Sequence, residues 1–415
     1  MKSSTSEPTI PHTKHLRVFH AVCRLGSMTK AADELRRAQS AVQNSIQQLE
    51  EALDVKLFER TTRGMLPTDA GKVLARRVEF AFEEMQAVRD ALKEIYEESG
   101  LQPRNAPIFS LAVNERRLAV LVAFSEHKHM GAVAQQMNIS QPAVSIALRD
   151  MEVSTGLALF DRSTSTIRLT SVGELLLVHI KRALTQLRLA VAEIAAMNGV
   201  MEGRVTIGAL PFGRAYILPS AIANLHKRYP QLHFTTVEGP FETLTHGLWC
   251  GDIDLVLGAL RPIEQYADLI REDLFSDRMV VIARAGHPLA AAQACTVREA
   301  LDADWILPRR STPTREVLRA AFETLGMPQP RVAVESSDLS MIRGLLLNSD
   351  MVTAASRHLF QPEIDAGSLV VLPIDLPETS RPIGILRRTQ DHSSPGAQLL
   401  IEEIRSMGHM PIGAC

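Results

Sequence analysis

One stretch of this sequence occurs twice: residues 39–60 read QSAVQNSIQQLEEALDVKLFER, and residues 141–162 read QPAVSIALRDMEVSTGLALFDR. Sliding the sequence against itself by 102 positions also aligns Thr68 with Thr170, and Gly71 with Gly173, without a gap. A repeat of this length indicates that one structural module is duplicated. The sequence therefore predicts two copies of one fold within its first 170 residues.

The composition is that of an ordinary soluble protein, with 415 residues, 46% hydrophobic and 22% charged. This length allows two or three domains. The start MKSSTSEPTI has no apolar signal region and no run is long enough to span a membrane, so we expect a cytoplasmic protein without a membrane partner. The cysteines lie far apart with no CxxC pair, which argues against disulfides and zinc: Cys23, Cys250, Cys295 and Cys415.

The overall charge of −2 conceals a basic segment. Residues 13–65 contain nine Lys/Arg and six Asp/Glu, a net charge of +3. A module that faces phosphates needs such a bias, although the bias alone is a weak signal. Any nucleic-acid surface must therefore be local.

Each copy has the pattern of a helix-turn-helix. Apolar residues recur at helical spacing in both copies: Leu16, Phe19, Val22, Val42, Ile46, Leu49 and Leu53 in the first, and Val144, Leu148 and Met151 in the second. Thr29 is the expected cap of the second helix, while Asn138 and Ser140 are expected to form the turn and the cap in the second copy.

The third helix of each copy presents short polar side chains away from its apolar face. Such groups read base edges and bind phosphates in a major groove. A merely solvated face is the alternative, and the repeat argues against it. The candidate DNA-binding residues are Thr29, Arg37, Gln39, Ser40, Gln43 and Asn44 in the first copy, and Gln141, Pro142, Ser145 and Arg149 in the second.

Both copies continue through Leu-Phe-acid-Arg into a polar stretch, followed by a short apolar strand and a threonine. This order predicts a β-hairpin wing. Four arginines of the wings are placed to reach phosphates or the minor groove: Arg60, Arg63, Arg162 and Arg168.

A long helix with an apolar seam is predicted after each wing. The seams consist of Leu74, Val78, Ala81, Met85, Val88, Leu92 and Ile95 in the first helix, and Leu177, Ile180, Leu184, Leu187, Val191 and Ile194 in the second. A sustained seam implies a partner helix, most simply the same helix of a second chain. Packing on the chain's own winged domain is the alternative, and Ala81 leaves room for it. We favour dimerisation through at least one seam.

From Gly203 onward, strands alternate with helices, which predicts a parallel α/β sheet. A second alternation opens at Arg278, and a strand at residues 383–386 returns to the first lobe. Ligands of such sheets lie beyond the carboxyl ends of the strands. The candidate effector-binding residues are Leu210, Pro211, Phe212, Arg214, Pro240, Phe241, Arg309, Arg310, Ser311, Thr312, Ser336 and Ser337.

The arginines in this set favour a small anionic metabolite, although most arginines are simply surface residues. No Ser-His-Asp frame, metal-ligand spacing or phosphate-binding loop is present in the sequence. We therefore expect no enzyme activity, no metal and no cofactor.

The string from Leu16 to Gly71 resembles the DNA-binding domain of LysR-type transcriptional regulators, and the second copy is similar. Copy two departs from the pattern at His129 and Gly131. The segment 285–289 and the Gly251-x-x-Asp254 element resemble the family's effector domain, which is similar to periplasmic solute-binding proteins. Family members usually carry one winged module, so this chain has one more.

The resemblance implies a multidomain fold, with two α-helical winged helix-turn-helix modules before a two-lobed α/β effector domain. The expected parts are winged modules at 13–72 and 115–174, linker helices at 73–100 and 175–200, and an effector domain at 203–412. Lobe I of this domain covers about 203–280 and 384–412, and lobe II covers about 281–383.

The implied function is sequence-specific regulation of transcription in response to a metabolite. The implied partners are double-stranded DNA, a small-molecule effector, the chain itself as a homodimer or homotetramer, and RNA polymerase as a candidate. One winged module serving as a protein–protein contact is the main alternative. A solute-binding protein or enzyme of the same fold is more distant, because it needs a secretion signal or catalytic residues that are missing from the sequence.

Overall fold

The computed structural model describes residues 11–62, 64–98, 100, 106–110, 115–163, 167–215, 217–266, 268–290, 296–310, 312–389 and 392–408. These residues form two winged helix-turn-helix modules, a pair of long helices and a two-lobed α/β domain. The predicted fold class is confirmed. Within these ranges, no helix combines the length and the apolar character that a membrane span requires.

The first module contains three helices and a two-stranded antiparallel wing. Its elements are α1 (Thr13–Leu25), α2 (Met28–Leu35), α3 (Gln39–Leu53), β1 (Phe58–Thr61) and β2 (Gly64–Pro67), followed by the long helix α4 (Asp69–Glu98). Six predicted core residues are at most 3% exposed: Leu16, Phe19, Val22, Val42, Ile46 and Leu49. Leu53, at the end of α3, is only half-buried.

The second module repeats this order. Its elements are α5 (Glu115–His127), α6 (Met130–Gln136), α7 (Gln141–Thr155), β3 (Phe160–Asp161) and β4 (Arg168–Leu169), followed by the long helix α8 (Ser171–Met197). Asn138 adopts the predicted left-handed backbone with φ 51°, and Arg36 has φ 53° at the same place in the first copy. Ser140 caps α7 by accepting the amide of Ala143 at 3.3 Å.

The cap of α2 differs from the prediction. Ser27, and not Thr29, accepts a backbone amide, from Lys30 at 3.4 Å, because the residue that precedes the first turn is the one whose side chain can reach it. His129 performs this role for α6, since its Nδ1 accepts the amide of Gly131 at 3.2 Å. The unusual histidine of the second copy therefore retains the capping function.

The threonine and glycine landmarks of the repeat fasten each wing to its long helix. Thr68 and Thr170 each donate to the carbonyl twelve residues earlier and accept the amide of Gly71 or Gly173. A Cβ atom on Gly71 would lie 2.1 Å from the carbonyl oxygen of Leu57, so only glycine fits there. These contacts start α4 and α8 a few residues before the predicted starts at 73 and 175.

The two long helices pack against each other within one chain. They run antiparallel, because Arg77 near the start of α4 reaches Glu193 near the end of α8, and Glu84 reaches His179 near the middle. The seam residues at the centre of this pair are buried: Leu74, Val78, Ala81, Met85, Val88, Leu92, Ile180, Leu184, Leu187 and Ile194. This corrects the expectation that a seam pairs with a second chain, since each seam is covered by the other.

The effector domain begins with lobe I and crosses to lobe II after its fourth strand. Lobe I contains β5 (Gly203–Ala209), α9 (Pro211–Ala215), α10 (Ile217–Arg228), β6 (Leu232–Val237), α11 (Phe241–Cys250), β7 (Leu255–Ala259) and β8 (Leu269–Asp277). Lobe II contains β9 (Met279–Arg284), α12 (Val297–Leu301), β10 (Trp305–Leu307), α13 (Pro313–Thr324), β11 (Val332–Glu335), α14 (Leu339–Asn348), β12 (Val352–Ser356), α15 (Gln361–Asp365) and β13 (Leu369–Val371). The chain returns to lobe I as β14 (Arg381–Arg388) and α16 (Pro395–Gly408).

Each lobe has a five-stranded sheet, with orders β6-β5-β7-β14-β8 and β11-β10-β12-β9-β13. The sheets are mixed and not wholly parallel as predicted, because β14 and β9 run antiparallel to their neighbours. Both strands arrive directly from the other lobe, without the crossover helix that a parallel connection requires. β7 starts only at Leu255, since Gly251 ends α11 with φ 85°.

Candidate nucleic-acid interface and effector cleft

The outward face of α3 forms a polar surface beside the first wing. Thr29, Gln39, Gln43 and Arg60 line an open groove of about 1260 Å³ between the helix and the wing. The remaining predicted residues of this module that the structure describes are exposed outside the groove: Arg37, Ser40 and Asn44. The amide and hydroxyl groups on α3, with the guanidinium groups of Arg37 and Arg60 beside it, are suited to hydrogen bonds with base edges and phosphates.

The corresponding face of α7 is less polar. Gln141, Pro142 and Arg149 are exposed, while Ser145 is half-buried. Ile146, which occupies the position of Asn44 in the repeat, is 59% exposed. Ile146 is absent from the residues predicted to bind DNA, although its apolar side chain at an outward position of the recognition helix is visible in the sequence.

The wing arginines differ between the modules. Arg60 and Arg168 are exposed, and Arg63 lies outside the described residues. Arg162 forms an ion pair with Glu152 at 2.9 Å, and its guanidinium lies 5.9 Å from the centre of the Phe160 ring. Part of its charge is therefore already neutralised within the protein.

The predicted effector residues of lobe I follow the parallel strands β5 and β6. Leu210 and Phe212 are buried at 7% and 2% exposure, and Pro211 is exposed between them. Arg214 of α9 forms an ion pair at 2.6 Å with Glu238, which directly follows β6. The other two residues of this group begin α11: Pro240 is exposed and Phe241 is buried.

The lobe II residues follow the parallel strands β10 and β11. Arg309 and Arg310 are exposed, and Thr312 caps α13 by accepting the amide of Arg315 at 3.4 Å. Ser336 is half-buried and Ser337 is exposed. Ser311 lies outside the described residues. The residues that are described thus lie at the carboxyl edge of each sheet, where ligands of α/β folds bind.

An aromatic contact joins the two lobes at this edge. Phe212 of lobe I lies 5.5 Å, between ring centres, from His358 of lobe II and 5.6 Å from Phe275. Burial lowers the pKa of His358, which favours the neutral imidazole. No sequence pattern indicates this contact, because no spacing relates His358 to Phe212.

Ion pairs dock lobe I on α8. Lys181 pairs with Asp252 at 2.6 Å, and Arg182 pairs with Asp268 at 2.9 Å. The guanidinium of Arg182 also lies 5.8 Å from the centre of the Trp249 ring, where a cation–π attraction operates. A change in lobe I therefore has a direct mechanical connection to the paired helices.

A second contact joins the effector domain to α4. The ring of Phe80 stacks on His392 with 5.3 Å between the centres. The pKa of His392 is lowered to about 4, first by burial and then by repulsion from Arg388, which is itself 1% exposed. The junction thus holds a neutral histidine beside a buried cation.

Two family profiles match the chain. The profile described as "Bacterial regulatory helix-turn-helix protein, lysR family" matches twice, at residues 13–72 and 116–174. The profile described as "LysR substrate binding domain" matches residues 198–408. Together they account for both modules and the two-lobed domain.

Curated relatives agree with this assignment. The chain is 40% identical over 398 residues to the transcriptional regulator GalR of Pseudomonas putida, covering 96% of this chain and 98% of that protein. It is also 30% identical over 300 residues to the uncharacterised regulator YdcI of Escherichia coli, covering 72% of this chain and 97% of YdcI. The second match leaves about one module of this chain without a counterpart.

Solved structures show the same fold. A full-length OxyR variant from Pseudomonas aeruginosa superposes with a TM-score of 0.54 at 25% identity, covering 70% of this chain and 93% of that chain. CbnR, a LysR family regulator, superposes with a TM-score of 0.50 at 17% identity, covering 71% and 98%. The chain belongs to the LysR family of DNA-binding transcriptional regulators, and it carries the helix-turn-helix domain of that family twice.

Proposed function

We propose that both winged modules contact double-stranded DNA, each through its third helix and its wing. The observation that carries this proposal is the exposed polar face of α3 beside an open groove, together with the exposed Gln141 and Arg149 at equivalent positions of α7. Base contacts are assigned to the exposed residues of the two helices, and phosphate contacts to the arginines of the wings. Thr29, Arg37 and Arg63 are further proposed DNA contacts of the first module.

The test is to substitute one glutamine on each recognition helix and to measure operator affinity. Gln39→Ala and Gln141→Ala should each cost roughly 1–3 kcal/mol at the specific site, because one base-edge contact is lost. Gln231→Ala, at an exposed glutamine of lobe I, is the matched control and should change nothing. Unchanged affinity in both recognition variants would refute the base-reading assignment.

The wing assignment makes a different prediction. Arg60→Ala should weaken binding to all sequences and flatten the dependence of affinity on salt, because a phosphate contact releases counterions. Arg162→Ala should have a smaller effect, since Glu152 already neutralises part of that charge. Equal salt slopes for wild type and both variants would exclude the wings from the DNA interface.

We propose that the effector is a small anionic metabolite bound between the lobes. Support comes from the exposed Arg309 and Arg310 at the edge of lobe II and from the Phe212–His358 contact that joins the lobes. Binding of the effector shifts an equilibrium between two arrangements of the lobes. The size of the shift is set by the difference between the effector's affinities for the two arrangements. The docking contacts on α8 then carry this change to the DNA-binding modules.

Calorimetry with a panel of small carboxylates tests this site on the full chain. Arg309→Ala combined with Arg310→Ala should weaken the binding of an anion, whereas Arg331→Ala should not. Arg331 is a suitable control because it is an exposed arginine of lobe II that pairs with Asp304 at 3.2 Å. Preferential binding of uncharged ligands would contradict an anionic effector.

We propose that the regulator acts in the cytoplasm as a homodimer or homotetramer, with RNA polymerase as a further candidate partner. Because α4 and α8 cover each other's seams, contacts between chains are assigned to other surfaces. Sedimentation of the full chain tests the oligomer, and a monomer at all concentrations would refute it.

The second candidate function makes the second module a protein contact. Ile146 and Val153 of α7 are 59% and 63% exposed, and Ile146 borders an apolar depression of about 340 Å³ between α5 and α7. This alternative predicts that Gln141→Ala leaves DNA affinity unchanged while Ile146→Asn weakens self-association. Deleting residues 1–100 would not distinguish the two candidate functions of the second module, because the deletion also removes α4 and exposes the apolar seam of α8.

A further inference from the structure

The two modules of one chain touch each other at equivalent positions. Glu115 at the start of α5 accepts from the backbone amide and the hydroxyl of Thr13 at the start of α1, each at 3.4 Å. Thr13 and Glu115 are 102 positions apart, which is the repeat length, so each is the counterpart of the other. A residue can contact its own counterpart only near an axis that exchanges the two copies.

The contacts between α4 and α8 are related by the same exchange of the two copies. Arg77 donates to Gln186 at 2.8 Å, and His179 bonds Glu84 at 2.8 Å. A shift of 102 turns Arg77 into His179 and Glu84 into Gln186, so each pair is the image of the other. Each pair joins a basic side chain of one copy to an acid or amide oxygen of the other.

The helix pair is tightly packed at the point about which the two copies exchange. This point falls midway along the helix pair, near Ala81 of α4 and its counterpart Ala183 of α8. Both alanines are at most 1% exposed. Small side chains at equivalent positions allow two helix backbones to approach closely, as in a symmetric dimer. A pseudo-twofold axis therefore relates the two winged modules inside a single chain.

We infer that one chain forms a complete DNA-reading head that recognises two unlike half-sites in a fixed order. This inference rests on the proposed DNA contact of both modules. A twofold pair of identical modules reads a palindrome, because protein symmetry and operator symmetry match. Here the internal axis exchanges modules whose recognition helices differ, so the site is composite.

The two helices present different chemistry at equivalent positions. Where α3 carries Ser40, Gln43, Asn44 and Gln47, helix α7 carries Pro142, Ser145, Ile146 and Arg149. Glutamine and asparagine pair with adenine, whereas arginine pairs with guanine and apolar side chains contact the methyl group of thymine. The first half-site is therefore expected to be rich in adenine, and the second to contain thymine and guanine.

The first experiment asks whether the modules pair within a chain or between chains. His12→Cys and Glu115→Cys are combined in a Cys295→Ser, Cys415→Ser background and treated with a short bifunctional thiol reagent. The side chains of His12 and Glu115 are in contact. Cys23 and Cys250 can stay, because burial raises the pKa of their thiols to about 12 and about 11.

The expected product is a cross-link within one chain, seen as a monomer in a denaturing gel and as one bridged peptide pair by mass spectrometry. Each single variant is the control and should give no cross-link. Cross-linked dimers from the double variant would overturn the inference, because the modules would then pair between chains.

The second experiment uses the wild-type chain and does not depend on a variant that folds. A binding site is obtained by selection from random duplexes and is rebuilt with either half doubled as a palindrome. The composite site should bind at least about tenfold more tightly than either palindrome, since each doubled half removes base contacts from one module. Equal binding to a palindrome would overturn the inference.

Side-chain variants show which module reads which half-site. Gln39→Ala should reduce base discrimination at one half-site only, and Gln141→Ala at the other only, because each removes one base-edge contact. Ile146→Asn should change the preferred base of the second half from thymine to adenine. If no sequence is selected at all, the proposed DNA contact itself fails. If only one half-site is selected, the second module is a protein contact and the inference is overturned.

Discussion

Replacing Gly71 by alanine is expected to displace the first wing and weaken the first module. The added Cβ would lie 2.1 Å from the carbonyl oxygen of Leu57, well inside van der Waals contact. Such overpacking costs about 1–3 kcal/mol. The same carbonyl accepts the amide of Thr68 at 3.0 Å, and loss of that bond adds about 1 kcal/mol. The expected loss of stability is therefore about 2–4 kcal/mol.

Hydrogen exchange of the full chain is the suitable assay, because it resolves the two modules. Gly71→Ala should lower amide protection in α1 to α3 and weaken DNA binding, since β1 begins directly after Leu57. Gly173→Ala should do the same to the second module, where the Cβ would lie 2.3 Å from the carbonyl of Leu159. Gly344→Ala is the control: its Cβ would meet nothing within 4 Å, and a helical glycine gains about 0.5–1 kcal/mol on replacement.

Wild-type protection in α1 to α3 of the Gly71→Ala protein would refute this reasoning. It would mean that the chain relaxes around the new atom without cost, and that the glycine landmarks of the repeat have another origin. A loss of protection in both modules would instead show that they unfold together through the α4–α8 pair.

The junction and the helix caps give three further predictions. Arg182→Met should loosen the docking of lobe I on α8, seen as a shift in the fluorescence of Trp249. The pKa of His392 lies near 4 in the folded chain and near 6.5 when unfolded, so the unfolded chain takes up the proton first and stability falls as pH drops from about 6.5 to about 4. His392→Gln should flatten the stability–pH curve in that window. Ser27→Ala should destabilise the first module by about 0.5–2 kcal/mol in denaturant titrations, whereas Thr29→Ala should not.

The local structure of the modules was predictable because it depends on short-range patterns. Helical periodicity placed Leu16 and Val42 in the core, and the turn residue Asn138 adopts the left-handed backbone expected of it. The wing hairpins and the carboxyl-edge position of the effector loops also followed from local order along the chain. Ser27 was missed because two neighbouring hydroxyl residues, Ser27 and Thr29, compete for one cap, and spacing alone does not choose between them.

Contacts between distant segments were not predictable in the same way. No spacing relates Phe80 to His392 or Phe212 to His358, because these pairs form only when separate elements pack. The antiparallel strands β9 and β14 were missed for a related reason. A sequence shows that a strand exists, but the direction of its neighbours depends on where the chain crosses between the lobes.

Patterns within the sequence are sufficient to establish two copies of a winged module, an apolar seam on each long helix and a two-lobed α/β domain. The sequence does not show what covers each seam. An apolar stripe requires a partner surface, but it does not show whether that surface belongs to the same chain or to a second chain. In the folded chain, α4 and α8 cover each other. Chain connectivity explains this pairing, because a helix linked to its partner within one chain is present at a high effective concentration, which a helix of a second chain cannot match.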